Sequence, residues 1–366
     1  MGNNIISDNW SLQNINELLL NGLSSDKVFF VKVNKKQKIH HWQEIEKAIV
    51  DIEALFDFIT DIILRNQIIV DEEFTKAWKK PKSPLIKVTD ANVIRPYPFL
   101  DSAKKLEAPR NELIQRLCIT SSLRRDHAAN VASWEKDRTV PDRYLSQTLW
   151  GGAGMLARAF VYEKAYTPHP VRRRLFQIAG VSIPSEDAVV RLNNFINEKR
   201  ASILFSHLGH DQFYGLLVDM PALPIIVIQE SNDIKDIMPV ALQLREQYQE
   251  LREWLSCYHQ ALSDGSYKKI KKFQEILHSI SLYVDSSMGK QNSDSATFTM
   301  GIGVLKVALK GQPLNMLKNQ FGVRSMINKL IIGNSGKAEL KKFLKLFGHR
   351  NTVLGMKVLD HFSRKK

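Results

Sequence analysis

The chain has 366 residues, 44% apolar and 25% charged, which suits two or three globular domains with ordinary cores. Two cysteines, Cys118 and Cys257, exclude a disulfide framework and a paired-cysteine metal site, and a reducing cytoplasm is the simplest compartment for them. The net charge of +14 is concentrated at one end: residues 304–366 hold fourteen lysines and arginines against Glu339 and Asp360, a charge of +12 over 63 residues on a body carrying only +2.

The N-terminus, Met1-Gly2-Asn3-Asn4, has neither the cationic start nor the apolar core of a signal peptide, and Ile6 stands where a myristoylation signal needs Ser or Thr. Val28–Val33 reads as a short strand ended by the polar turn Asn34–Gln37. A strong helix is predicted over about His41–Leu64, with a wide apolar stripe from Ile45 to Ile63 and an acidic polar side. Its charges also break the longest apolar stretch, Ile45–Val70, so no integral membrane association is expected. Ile68–Val70 and Leu85–Val88 look like two further strands, and Lys79–Pro98, with four prolines, like a surface connection.

A second helical region opens near Pro109, placed as a first-turn proline, and runs through Leu113 and Leu117 towards Trp134. Another helix is predicted over Tyr144–Lys164. Gly151, Gly152 and Gly154 weaken it by roughly 1 kcal/mol each relative to alanine, which makes sense where a neighbouring element packs closely. The turn Thr167–Pro170 leads into Val171-Arg172-Arg173-Arg174, and Asp187–Glu198 reads as a helix. Pro224–Ile228 is a buried-strand candidate.

Asp236–Val284 has the cleanest period in the chain. Ile237, Ala241, Leu244, Tyr248, Leu251, Leu255, Tyr258 and Leu262 recur at steps of four and three, and Ile270, Phe273, Leu277, Ile280 and Val284 do the same. Asp264-Gly265 stops the first run, so an antiparallel helix hairpin is predicted, with Pro239 in its first turn and Cys257 as a buried thiol. Gly289–Ser295 reads as a linker, Thr297–Leu309 as β-like, and Val323–Ile332, Ala338–Phe347 and Thr352–Phe362 as helical pieces. The expected fold is α+β and predominantly helical: an N-terminal α+β unit over 1–105, a helical region over 106–290, and a basic C-terminal region over 291–366.

Several clusters are candidates for chemistry. Arg124, Arg125 and His127, followed by Arg138 and Arg143, are cations suited to phosphate, with Trp134 as a stacking surface. His169, Arg172, Arg173 and Arg174 sit on a proline-stiffened turn, a candidate anion clamp. His207, His210 and Asp211 lack a supporting third ligand motif, and no metal or cofactor is expected. Leu330–Ala338 departs from a phosphate-binding loop, since Ile331 stands at the first glycine and Ala338 at the Ser/Thr. Lys337, Lys341, Lys342 and Lys345 line the polar side of an amphipathic helix.

Arg252 and His259, seven positions apart, fall on one helix face two turns apart. This pair resembles the Arg…His motif of HEPN-type ribonucleases, helical proteins that usually pair their motifs across a dimer. The resemblance implies RNA cleavage by 2′-OH attack, with Glu253 standing where that family often has Asn, Asp or His. Three functions follow as expectations. The first is a cytoplasmic nucleic-acid-associated or assembly protein binding RNA or DNA backbones through its basic end. The second is a helical ribonuclease using Arg252 and His259. The third is a non-enzymatic scaffold for a protein partner or a second copy of the chain.

Overall fold

The computed structural model describes residues 3–22, 38–78, 83–99, 103–120, 143–184, 188–192, 194–196 and 222–275. The fold is mostly helical, with one small parallel sheet. The described residues divide into two compact units, one within Asn4–Glu186 and the other within Asp187–His361.

In the first unit the elements run β1 (Asn4–Ser7), α1 (Asn9–Asn21), α2 (Lys38–Leu64), β2 (Gln67–Asp71), α3 (Glu72–Trp78), α4 (Leu85–Asp90), β3 (Ile94–Tyr97), α5 (Ala103–Thr120), α6 (Arg143–Val161), β4 (Ala165–Thr167) and α7 (Pro170–Ile178). The sheet order is β3-β2-β1-β4, with every pairing parallel. Ile5 is in register with Ile68 and Ala165, and Ile6 with Ile69 and Tyr166. Parallel neighbours need crossover connections, and helices intervene between each strand and the next. The strands are correspondingly apolar without alternation: Ile5, Ile6, Ile68, Ile69 and Val70 are all buried. Because β4 pairs with β1, this sheet draws on both sides of residue 105.

One core joins Ile6, Ile69 and Tyr166 of the sheet to Leu106, Leu113 and Leu117 of α5, Leu149, Ala153 and Leu156 of α6, and Phe176 of α7. Elsewhere α1 packs on α2, burying Leu12, Ile15, Leu55, Ile59 and Ile62. Each such side chain contributes about 1.5–3 kcal/mol on leaving water.

The predicted helix at His41–Leu64, the strand at Ile68–Val70 and the helix at Tyr144–Lys164 correspond to α2, β2 and α6. Three expectations are corrected. Leu85–Val88 is helical, in α4: the Ser83 hydroxyl accepts from the Leu85 N–H at 3.1 Å, and Leu85 and Val88, three apart, turn to the core together. Pro109 lies well inside α5, which begins at Ala103 and not near the proline. Pro96 stands within β3, where the sheet edge tolerates its missing N–H.

In the second unit, residues 188–192 and 194–196 are helical, and α8 (Ala222–Glu230), α9 (Ile237–Gln247) and α10 (Gln249–Ser263) follow. Pro224–Ile228 is therefore helix and not strand. Leu223, Ile225, Ile226, Val227 and Ile228 are all buried, and a continuous apolar run serves an enclosed helix as well as an enclosed strand. The predicted long helix is broken at Tyr248 into α9 and α10, while its seam from Ile237 to Tyr258 is buried as expected. Gly265 has φ +61°, and residues 267–275 are helical, with Phe273 stacked on Tyr258 at 4.8 Å. Cys257 is exposed, because Trp254 and Tyr258 take the buried positions on either side of it. The strand predicted at Val28–Val33, residues 276–284 of the hairpin, and everything predicted from Gly289 onward lie outside the described residues.

Candidate functional site

The sheet reverses its direction of growth at β1: the chain adds β2 and then β3 on one side, and β4 on the other. In parallel α/β sheets the crevice beyond the carboxyl ends at such a point is where ligands bind. Asp8 immediately follows β1 there and caps α1, its side chain accepting from the Trp10 N–H at 2.9 Å. Asp8 is fully buried and also accepts from Arg172 Nη1 at 2.6 Å, from the His169 N–H at 3.1 Å and from the Tyr166 hydroxyl. Burial opposes its charge, but Arg172, Tyr166 and His169 outweigh that effect and hold the carboxyl below its ordinary range. Burial, followed by the charge of Asp8, pushes the Tyr166 hydroxyl well above its ordinary value, so it stays a donor.

His169 caps α7, its Nδ1 accepting from the Val171 N–H at 3.3 Å, with Pro170 at the first helical position. The Trp10 indole stacks on its ring at 3.9 Å with 7° between the planes. Asn14 Nδ2 lies 3.2 Å from His169 Nε2 and donates to Asp51 Oδ1 at 2.7 Å. Arg172 stands over the Trp10 ring at 5.2 Å. A buried polar centre thus links the end of β1, the first turns of α1 and α7, and the middle of α2.

The acidic side of α2 receives the other arginines of the triple run. Arg173 pairs with Glu53 at 2.6 Å and Asp57 at 2.9 Å, and Arg174 with Glu53 at 3.1 Å. One turn further along α2, Asp61 accepts from Thr167 at 2.7 Å and from Arg65 at 3.2 Å. Burial, then Asp61 and Glu53, outweigh Arg173 at Asp57 and raise its carboxyl to about 6.

The glycines of α6 are explained by the same centre. A Cβ on Gly151 would lie 2.2 Å from Arg172 Nη2, and one on Gly152 would lie 3.2 Å from the Phe176 ring. Close packing of α7 on α6 therefore accounts for two of the three, and it seats Arg172 against Asp8.

The predicted site residues fall as follows. His169, Arg172, Arg173 and Arg174 are brought together, each engaged with partners inside this unit. Arg252, 8% exposed, donates through Nη1 to the Arg245 carbonyl across the break between α9 and α10. Burial and then the charge of Arg252 lower Arg245 to about 10. His259 is half-buried on the same helix. Arg124, Arg125, His207, His210, Asp211, Lys337, Lys341, Lys342 and Lys345 lie outside the described residues. Among the described residues no helix is long and apolar enough to cross a membrane, and no three His, Cys, Asp or Glu side chains are grouped to hold a metal.

Asp8, Trp10, Asn14, Asp51 and Tyr166 were not among the predicted site residues. The signal was present at the N-terminus: Ile5-Ile6-Ser7 as a strand, then Asp8 as an N-cap before the apolar repeat Leu12, Ile15, Leu19. Comparison with family models, curated proteins and solved structures finds no match.

Proposed function

We propose that this is a cytoplasmic nucleic-acid-associated protein that holds phosphate backbones through its basic C-terminal region. The observation that carries the reading is the placement of +12 of the net +14 within residues 304–366. The α/β unit supports it indirectly. Its triple-arginine run pairs with Asp8, Glu53 and Asp57, so that cluster's charge is compensated internally and long-range attraction falls to the tail. The inward donation of Arg252 to the Arg245 carbonyl, beside Glu253, favours this reading over a ribonuclease acting through Arg252 and His259. The antiparallel hairpin over 236–284, supported by the turn at Gly265 and the Phe273–Tyr258 stack, would act as a supporting scaffold.

The test is the salt dependence of RNA and duplex DNA binding by the full chain, beside the variant K337Q/K341Q/K342Q/K345Q. Each phosphate contact contributes about 0.9 to the slope of log K against log salt on duplex DNA. The variant is expected to lose up to about 3–4 units of slope and to bind more weakly on every sequence. An unchanged slope, with nucleic acid still bound, removes the tail as the binding element.

A further inference from the structure

The helix that follows the Gly265 turn, described over residues 267–275, is fixed in rotation by its inner side. Phe273 stacks on Tyr258 at 4.8 Å and meets Trp254 edge-on at 5.3 Å, and Ile270 is half-buried beside it. With that side turned in, helical geometry sends Tyr267, Lys268, Lys271 and Lys272 outward on one face and Lys269 to its flank. All four lysines are exposed. Tyr267, 78% exposed, is the most exposed large hydrophobic side chain among the described residues.

The fold gives these cations no counterpart. Among the described residues, none of the four lysines is in an ion pair. Asp264, in the turn before the helix, holds its carboxylate on Gln260 Nε2 at 2.6 Å, and Glu275 is the one acid in residues 266–275. Lys268 and Lys269 stand in the first turn, where the helix dipole repels cations and a helix shaped for stability carries Asp or Glu. Lys268 also neighbours Lys271 and Lys272, and Lys269 neighbours Lys272, at spacings of three and four, where like charges oppose each other. An anionic chain laid along this face would offset all of these repulsions at once.

The exposed ring decides among anionic partners. An acidic membrane offers the charge, but only Tyr267 is available to enter it, since Ile270 and Phe273 face inward. A duplex offers the charge with its bases already stacked on each other. A single strand offers phosphates to the lysines and an unpaired base to the ring.

We propose that the outer face of this helix binds single-stranded nucleic acid, with Lys268, Lys269, Lys271 and Lys272 on its phosphates and the Tyr267 ring stacked on a base. Stacking accepts any base, so the surface has no strong sequence preference. It is separate from the basic end at residues 304–366 and does not depend on it.

The test is fluorescence anisotropy of a labelled oligothymidylate and a labelled duplex, titrated over a range of salt. The parent is the full chain carrying K337Q/K341Q/K342Q/K345Q, so failure of the tail as a binding element and failure of this surface are read separately. Tyr267→Ala should weaken the single strand by about tenfold, as loss of one stacked base requires. It should leave the salt slope and the duplex affinity unchanged. Tyr267→Phe keeps the ring and should bind like the parent. The variant K268Q/K269Q/K271Q/K272Q should lose up to about 3 units of slope on the single strand, at about 0.7 for each phosphate contact. Removing like charges from the start of a helix should keep or raise the melting temperature, so weaker binding reports a lost surface and not a lost fold. Unchanged single-strand affinity in Tyr267→Ala, an equal loss on the duplex, or an unchanged slope in the lysine variant overturns the proposal. So does the absence of saturable single-strand binding up to roughly 100 μM. Lysine-dependent binding to phosphatidylserine vesicles without single-strand binding also overturns it, and assigns the face to lipid.

Discussion

At the scale of single residues, the molecule turns on Asp8. Its carboxylate is surrounded by four donors from α1, β4 and α7, so the charge is held in place although it is removed from water. Replacing it with Asn leaves Arg172 buried without its counter-charge, which costs about 3–5 kcal/mol. Urea unfolding of Asp8→Asn should show that loss. The carboxyl pKa is lowered in the fold, so the stabilisation is present above the unfolded value near 3.8 and is lost as pH falls through the depressed one. Wild type should therefore lose stability on acidification more steeply than the variant. Asp57 has the opposite sign. Its carboxyl is raised to about 6, so between pH 4 and 6 the folded state binds the proton more tightly than the unfolded chain, and stability falls as pH rises across that window. With the side chain 26% exposed, the effect is at most about 3 kcal/mol. Asp57→Asn should flatten the dependence of the urea midpoint on pH over that range, and a profile parallel to wild type would show that Asp57 does not carry it.

At the scale of elements, legibility followed length. α2 and α6 span several turns, and their apolar stripes repeat often enough to declare a period. β1 and β4 are four and three residues long: β1 leaves only the faint signal of Ile5-Ile6 ahead of the Asp8 cap, β4 leaves none, and their strand character comes from pairing with β2 and with each other. Ala222–Glu230 carried a short apolar run that a buried strand and a buried helix share. Leu85–Val88 was decided by its Ser83-Pro84 start and not by its β-branched content. The candidate site was half legible for the same reason. His169 and Arg172 stood out in a dense motif, while Asp8 and Asn14 meet Arg172 and His169, 155 or more positions away, only when β4 docks on β1, and Asp51 meets Asn14, 37 positions away, only when α1 packs on α2. Nothing local in the sequence marks a buried aspartate as the acceptor for an arginine 164 residues away.

At the scale of the whole molecule, this long-range closure determines where the chain can be cut. β4 and α7 come last in the first unit, yet they supply the edge strand beside β1, the cap His169 and the counter-charge for Asp8. A fragment ending at residue 161 would keep most of the helical mass but leave Asp8 buried without Arg172 or Tyr166, and β1 as an unprotected edge. A fragment ending at residue 186 keeps all four strands and the polar centre. The longer fragment should melt cooperatively and resist limited proteolysis. The shorter should melt without a cooperative transition, even though its far-ultraviolet circular dichroism shows helix, because helices without their closing strand retain local structure but lose fixed packing. Cooperative melting of the shorter fragment would mean that the sheet does not need β4, and that the Asp8 centre is a passenger on a fold held by α1 and α2.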